Sequence, residues 1–265
     1  MRLAFSTLGV PELPVEQVVR LAADNGFHGV ELRASPEGPV HTGLSADERA
    51  DVAAEFGKAD VEILTVAAYA KVAAAGDDDP VLEEIGAAMT LAHDLGASFV
   101  RVFPGGGELG TDEADALAAR RLAAAAPIAA DLGVRVLLET HDSHRGGADV
   151  ARVLGRVGHL GAGAVWDVMH TWLAGEQPSA TFPALAPYLG YVQVKDIASA
   201  ADRTPLPLGT GVLPLAETVE VLSRAEWDGW LCWEYEKRWY PQAAELPELL
   251  GSAREHLARL LTESA

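Results

Sequence analysis

The sequence is poor in cysteine, in basic residues and in long apolar runs. Cys232, the single cysteine among 265 residues, can close no internal disulfide and offers no thiolate cluster for zinc. Lys and Arg number 20 against 39 Asp and Glu, a formal net charge of -19. A phosphate backbone attracts clustered Lys and Arg, so a surface this acidic argues against nucleic acid and anionic membranes as partners. Most of that charge reads as a solvated surface. No window approaches the roughly 20 apolar residues of a membrane span. Pro11 and Pro14 interrupt the N-terminal stretch MRLAFSTLGVPELP before it reaches the apolar length of a signal peptide. These absences lead to the expectation of a soluble, cytoplasmic protein.

What is present is an alternation. Short apolar runs read as strands over 3–8, 29–33, 62–69, 98–103, 135–141, 164–168, 191–196 and 230–236. Between them lie Ala-rich amphipathic stretches near 15–26, 45–59, 80–95, 112–132, 147–157, 180–187, 214–225 and 245–262. Ser45 with Glu48, and Thr111 with Asp112 and Glu113, read as helix starts; Gly26, Gly96 and Gly133 read as stops. Eight units of about 33 residues each have the spacing of a (β/α)8 barrel, and residues 1–265 read as one domain. A doubly wound sheet also alternates in this way, but its phosphate loop is missing after the first run, which continues Thr7-Leu8-Gly9-Val10-Pro11. Gly105-Gly106-Gly107 lacks the Lys and Ser/Thr of a P-loop and reads as a tight turn.

Charged residues gather at the C-terminal ends of these runs. Residues two apart share a face of a strand, which groups Glu31 with Arg33, Glu139 with His141, Gln193 with Lys195, and Glu234 with Glu236. Arg101 and Asp167 end their own runs. Barrel strands open together onto one catalytic mouth, so Glu139, Asp167, Gln193 and Glu234 would form an arc across it. Converging carboxylates repel unless a cation or proton neutralises them. A divalent metal does so, and so do ion pairs with Arg101, Lys195 or Arg33. Spacing alone leaves both readings open.

Leu138-Glu139-Thr140-His141, Trp166-Asp167-Val168-Met169-His170, Val192-Gln193-Val194-Lys195-Asp196, Leu208-Gly209-Thr210-Gly211 and Trp233-Glu234-Tyr235-Glu236 resemble the xylose isomerase-like TIM barrel superfamily. Its members include sugar isomerases and epimerases, inosose and dehydroshikimate dehydratases, and endonuclease IV. The resemblance runs over essentially the whole chain. It implies one divalent metal held by Glu139, Asp167, Gln193 and Glu234, with Gln193 standing where the family usually has histidine. An amide oxygen is harder than an imidazole nitrogen, which favours Mn²⁺ or Mg²⁺ over Zn²⁺. His170 matches a histidine that touches substrate or a metal-bound oxygen in relatives. Endonuclease IV additionally needs histidines after its third and fourth strands; here those ends read Ala67-Ala68-Tyr69 and Val102-Phe103-Pro104.

The expected activity is metal-dependent isomerisation or epimerisation of a sugar or cyclitol by proton transfer next to a carbonyl. Glu139 and Glu234 would serve as base and acid. A dehydratase or lyase on the same site is the second reading, with His141 or Lys195 supplying a proton to the leaving group. A barrel that binds without catalysis is the third, motivated by Gln193. Arg101, Glu31, His170 and Trp239 are the expected substrate contacts, and a small polyol or keto-sugar the expected ligand. A homo-oligomer is also expected of such a barrel.

Overall fold

Each apolar run pairs in parallel with the run before it, and the last pairs with the first. The computed structural model describes residues 1–264. Among them the strands are β1 (Arg2–Ser6), β2 (Gly29–Arg33), β3 (Glu62–Lys71), β4 (Phe99–Phe103), β5 (Arg135–Glu139), β6 (Ala162–Asp167), β7 (Leu189–Val194) and β8 (Trp230–Trp233). They close in the order β1 to β8 as a (β/α)8 barrel. A short 3-10 turn, Thr7–Gly9, follows β1. Around the barrel lie α1 (Val15–Asp24), α2 (Ala46–Lys58), α3 (Asp78–Leu95), α4 (Thr111–Asp131) and α5 (Gly147–Val157). They are followed by α6 (Val168–Leu173), α7 (Pro178–Leu185), α8 (Leu215–Arg224) and α9 (Leu246–Glu263).

The helix signals behave as their chemistry requires. Ser45 and Glu48 form a reciprocal capping box at the start of α2. Gly96 ends α3 in the left-handed region at φ 72°. At α4 the cap falls on Gly110, one residue before the expected Thr111, which becomes the first helical residue.

Two apolar layers hold the barrel. The outer faces of the strands pack beneath the helices in one large cluster. The interior is a second, smaller cluster that includes Leu64, Leu137, Val165, Tyr191 and Cys232. Because side chains alternate, the interior-facing residue two positions further along each strand lies one layer nearer the C-terminal mouth. Leu137 is followed by Glu139, Val165 by Asp167, Tyr191 by Gln193 and Cys232 by Glu234. A dry floor therefore supports a polar layer, and Cys232 belongs to the packing of the floor.

The β3–α3 connection is held from inside. Arg121, fully buried on α4, donates to the carbonyls of Val72 (3.1 Å), Ala74 (2.7 Å), Gly76 (2.7 Å) and Asp77 (3.2 Å). Its Nε also meets Asp78 at 2.8 Å.

Candidate functional site

The polar layer is one connected network centred on β7. Tyr191 donates from its hydroxyl to Glu31 at 2.5 Å, and Gln193 Nε2 donates to Glu31 and to Glu234, each at 3.1 Å. Lys195 places its ammonium between Asp167 (2.7 Å), Glu234 and Glu236 (2.9 Å). The ion pairing open to Lys195 is therefore made, with Glu234 and Glu236 as well as with Asp167. Arg101 reaches Glu139 at 3.1 Å and donates to the Ala68 carbonyl. Glu31, Glu139, Asp167, Gln193, Lys195 and Arg101 are all buried.

The ends of β5 and β6 are tied by Thr140, whose hydroxyl accepts from the Asp167 backbone N–H (2.9 Å) and lies 3.2 Å from its carbonyl. Asp167 then caps α6, accepting from the N–H groups of Met169 (2.8 Å) and His170 (3.2 Å). That cap turns His170 inward. Its ring lies 4.0 Å from that of His141, which packs in turn on Phe103 and, through it, beside Arg101. His141 meets Asp142 at 2.8 Å.

Above this layer opens a cavity of about 620 Å³. Arg101, Glu139, His141, His170, Glu234 and Trp239 line it, as do Tyr69 and Tyr240. Glu31, Asp167, Gln193 and Lys195 are not part of its lining and support it from below. His41 and His144, in the loops after β2 and β5, do not line the cavity, and His144 is buried against Asp115 at 3.0 Å.

Burial sets the protonation of the site. It pushes the Glu139 carboxyl up to about 8, against the pull of Arg101 and His141. Glu31 is raised by burial and by the Glu234 charge. Glu236 is raised by burial despite Lys195. His170 is held well below its ordinary value by burial, then by His141 and Lys195. Burial pulls His141 down too, but the Asp142 hydrogen bond and the Glu139 charge outweigh it and raise the ring. Lys195 stays protonated because Asp167, Glu234 and Glu236 outweigh its burial.

The donor chemistry fits a divalent cation. Five carboxylates (Glu31, Glu139, Asp167, Glu234 and Glu236) face two side-chain cations, Arg101 and Lys195. His170 Nδ1 and Gln193 Oε1 are buried without a hydrogen-bond partner. Glu139, His141 and His170 each offer a ligand atom, all within 4.8 Å of one another. The arc expected from sequence is differently disposed: Lys195 occupies the space between Asp167 and Glu234, and Gln193 turns its N–H toward carboxylates. Sequence reasoning missed Tyr191, which shares the face of Gln193 and Lys195 and was therefore legible by alternation. It also missed Asp142, Lys71, Arg145 and Arg203, cavity residues on or beside loops with no periodic signal.

Comparison with known proteins gives a consistent picture. Residues 19–260 match the model of the xylose isomerase-like TIM barrel family. A Streptomyces coelicolor protein provisionally named hydroxypyruvate isomerase is 30% identical over 183 residues, which is 64% of this chain and 64% of that protein. The chain thus spans less than two thirds of that relative's length. Among solved structures, one of IolI with a bound zinc atom superposes with a TM-score of 0.84 at 16% identity, covering 100% of this chain and 99% of the other. D-psicose 3-epimerase with D-tagatose, from Clostridium cellulolyticum H10, gives 0.83 at 14% identity over 98% and 99%. A Bacillus anthracis protein assigned by inference as a 3-DHS dehydratase, AsbF, gives 0.82 at 20% identity over 97% and 99%. At these identities the structural likeness is one of fold.

Proposed function

The chain belongs to the xylose isomerase-like TIM barrel family, and from that premise we propose that it isomerises or epimerises a small keto-sugar or related hydroxy-carbonyl compound. The observation that carries this reading is that Glu139 and Glu234, three strands apart, line one cavity, with Glu139 pushed up to about 8 by burial. A carboxyl poised near neutrality can both take and return a proton. Glu139 is the proposed base for the C–H next to a carbonyl, and Glu234 the group that returns the proton at the neighbouring carbon. Arg101 orients Glu139 and carries positive charge toward the developing enediolate. Neutral His170 and the Phe103–His141 wall exclude water from the reacting carbons.

A divalent metal, Mn²⁺ or Mg²⁺ in preference to Zn²⁺, is proposed to bind among Glu139, Asp167, Gln193 and Glu234. When bound it would polarise the carbonyl and acidify the adjacent C–H. Because Lys195 already engages Asp167 and Glu234, it competes with the metal for those oxygens. His141 and His170 are the neighbouring donors that add to the set.

Incubation with a ketose panel in D₂O, with Mn²⁺ supplied, tests the activity: deuterium should enter at the carbon next to the carbonyl. A broad panel without exchange, with metal bound, rules the reading out. A dehydratase or lyase outcome is favoured by one observation, the raised His141 held by Asp142, which suits an acid at a leaving group. It predicts an enone absorbance that His141→Ala abolishes.

A further inference from the structure

We infer that the substrate carries a terminal oxyanion, a carboxylate or phosphate, held at the cavity mouth by Lys71, Arg145 and Arg203. The inference deepens the isomerase reading and rests on it. All three residues line the same cavity as Glu139 and Glu234. The four acids of that lining are already engaged: Glu139 with Arg101, Asp142 with His141, and Glu234 and Glu236 with Lys195. Lys71 and Arg145 have no hydrogen-bond or ion-pair partner among the described residues, and Arg203 reaches only the Ala200 carbonyl at 3.4 Å.

Elsewhere Arg49 pairs with Asp94 (2.7 Å) and Arg120 with Asp78 (2.7 Å). Arg20, Arg238 and Arg254 meet no acid among the described residues either, but none of them lines this cavity. What sets Lys71, Arg145 and Arg203 apart is that three cations free of acids converge on one opening whose own carboxylates are already engaged, which marks a place for a ligand's charge.

Each cation also sits beside a braced segment. Lys71 ends β3, where the following turn is held by Arg121; its stem lies so close to Gly105 that a Cβ there would come within 2.6 Å. Arg145 follows His144, which is buried against Asp115. Arg203 lies in the β7–α8 connection, pinned by Asp196, whose carboxylate accepts from the N–H groups of Gly209 (2.9 Å) and Gly211 (2.8 Å). The braces limit what ordering these side chains costs on binding. The inference adds a terminal negative charge to the small polyol or keto-sugar expected from sequence.

Calorimetric titration of the wild-type protein with D-ribulose, D-ribulose 5-phosphate and hydroxypyruvate tests the clamp. At about 20 mM salt at least one anion should bind about tenfold more tightly than ribulose, with the advantage shrinking at about 200 mM. Which anion gains most assigns phosphate or carboxylate. Lys71→Ala, Arg145→Ala and Arg203→Ala should each weaken the favoured anion about tenfold and leave ribulose within about twofold. Ribulose binding as tightly as both anions, binding by neither anion, or equal weakening of ribulose and anion by the variants overturns the inference. Deuterium exchange separates the two proposals. Exchange on ribulose without anion preference removes the clamp and keeps the isomerase. Anion preference without exchange on any probe keeps the clamp and removes the isomerase.

Discussion

Replacing Lys195 with methionine keeps most of the stem and deletes the charge that three carboxylates share. At an effective dielectric of about 20, an ammonium and a carboxylate about 4 Å apart attract by about 4 kcal/mol. Three such contacts, to Asp167, Glu234 and Glu236, gross about 12 kcal/mol. Desolvation of the ammonium and repulsion among the acids it gathers offset most of this. The net cost of breaking such a buried pair is about 3–5 kcal/mol, or about 10 °C of melting temperature for a chain of this size. The cost depends on pH. Burial, joined by the Glu234 and Asp167 charges, raises Glu236, and Lys195 works against that rise. Without Lys195 the raised acid destabilises the fold as pH climbs above the unfolded value of about 4.3. Lys195 itself is held above its ordinary value, so its contribution is fully present below about 10.4 and lost as pH rises through its folded value. Wild type and Lys195→Met should therefore melt apart at both pH 5 and pH 8, with the wider gap at pH 8, where the raised acid is forced to carry its charge. Millimolar Mn²⁺ should restore the variant at pH 8 and bind it more tightly than wild type, because the competing ammonium is gone. A variant that melts within about 2 °C of wild type at pH 8 without metal refutes the account of Lys195 as the site's resident cation.

Four further outcomes follow from the structure. Turnover should rise with pH through about 8 in metal-poor protein as Glu139 ionises, with the ascending limb moving lower once a divalent cation is bound. Glu139→Gln should lower kcat by about 10²–10⁴-fold at every pH. Asp78 is lowered to about 2 by hydrogen bonds from Arg120 and Arg121, so its contribution to stability is present above about 3.9 and lost as pH falls through about 2; Asp78→Asn should flatten that acid limb in an unfolding titration. Gln193→His should tighten Mn²⁺ and Zn²⁺ binding measured by calorimetry, and unchanged affinity would place residue 193 outside the ligand set.

The architecture was legible because its signals are local. β2 reads at Gly29–Arg33 and is found there, and the polar ends of β5 to β8 stand out against apolar runs. The strand ends were less legible. β5 stops at Glu139 and β8 at Trp233, although alternation continues to His141 and Glu236. A side-chain pattern outlasts the hydrogen-bond ladder when the chain leaves the sheet still extended. α6 is six residues long, too short for periodicity, although Asp167 at its cap was a usable sign. Which acid meets which base was not legible at all. Lys195 and Arg101 choose among several carboxylates by distances that only barrel closure fixes. Arg121, one of an Arg pair in an Ala-rich helix, is fully buried, and nothing in the helical pattern sets it apart from Arg120.

The grip of Arg121 on the β3–α3 connection has a consequence for how this barrel can change. One guanidinium spends its donors on the carbonyls of residues 72, 74, 76 and 77 and on the Asp78 carboxylate. Inserting or deleting even one residue there would strand a buried donor, so that rim segment has a fixed length. The connection after β7 is longer: Asp196 holds Leu206, Gly209, Gly211 and Leu213, while Ala200, Ala201 and Asp202 are exposed and that stretch bonds only locally. Remodelling of the opening for a larger or smaller ligand belongs on the β7 side, while the β3 side acts as a ruler against which the ligand is measured.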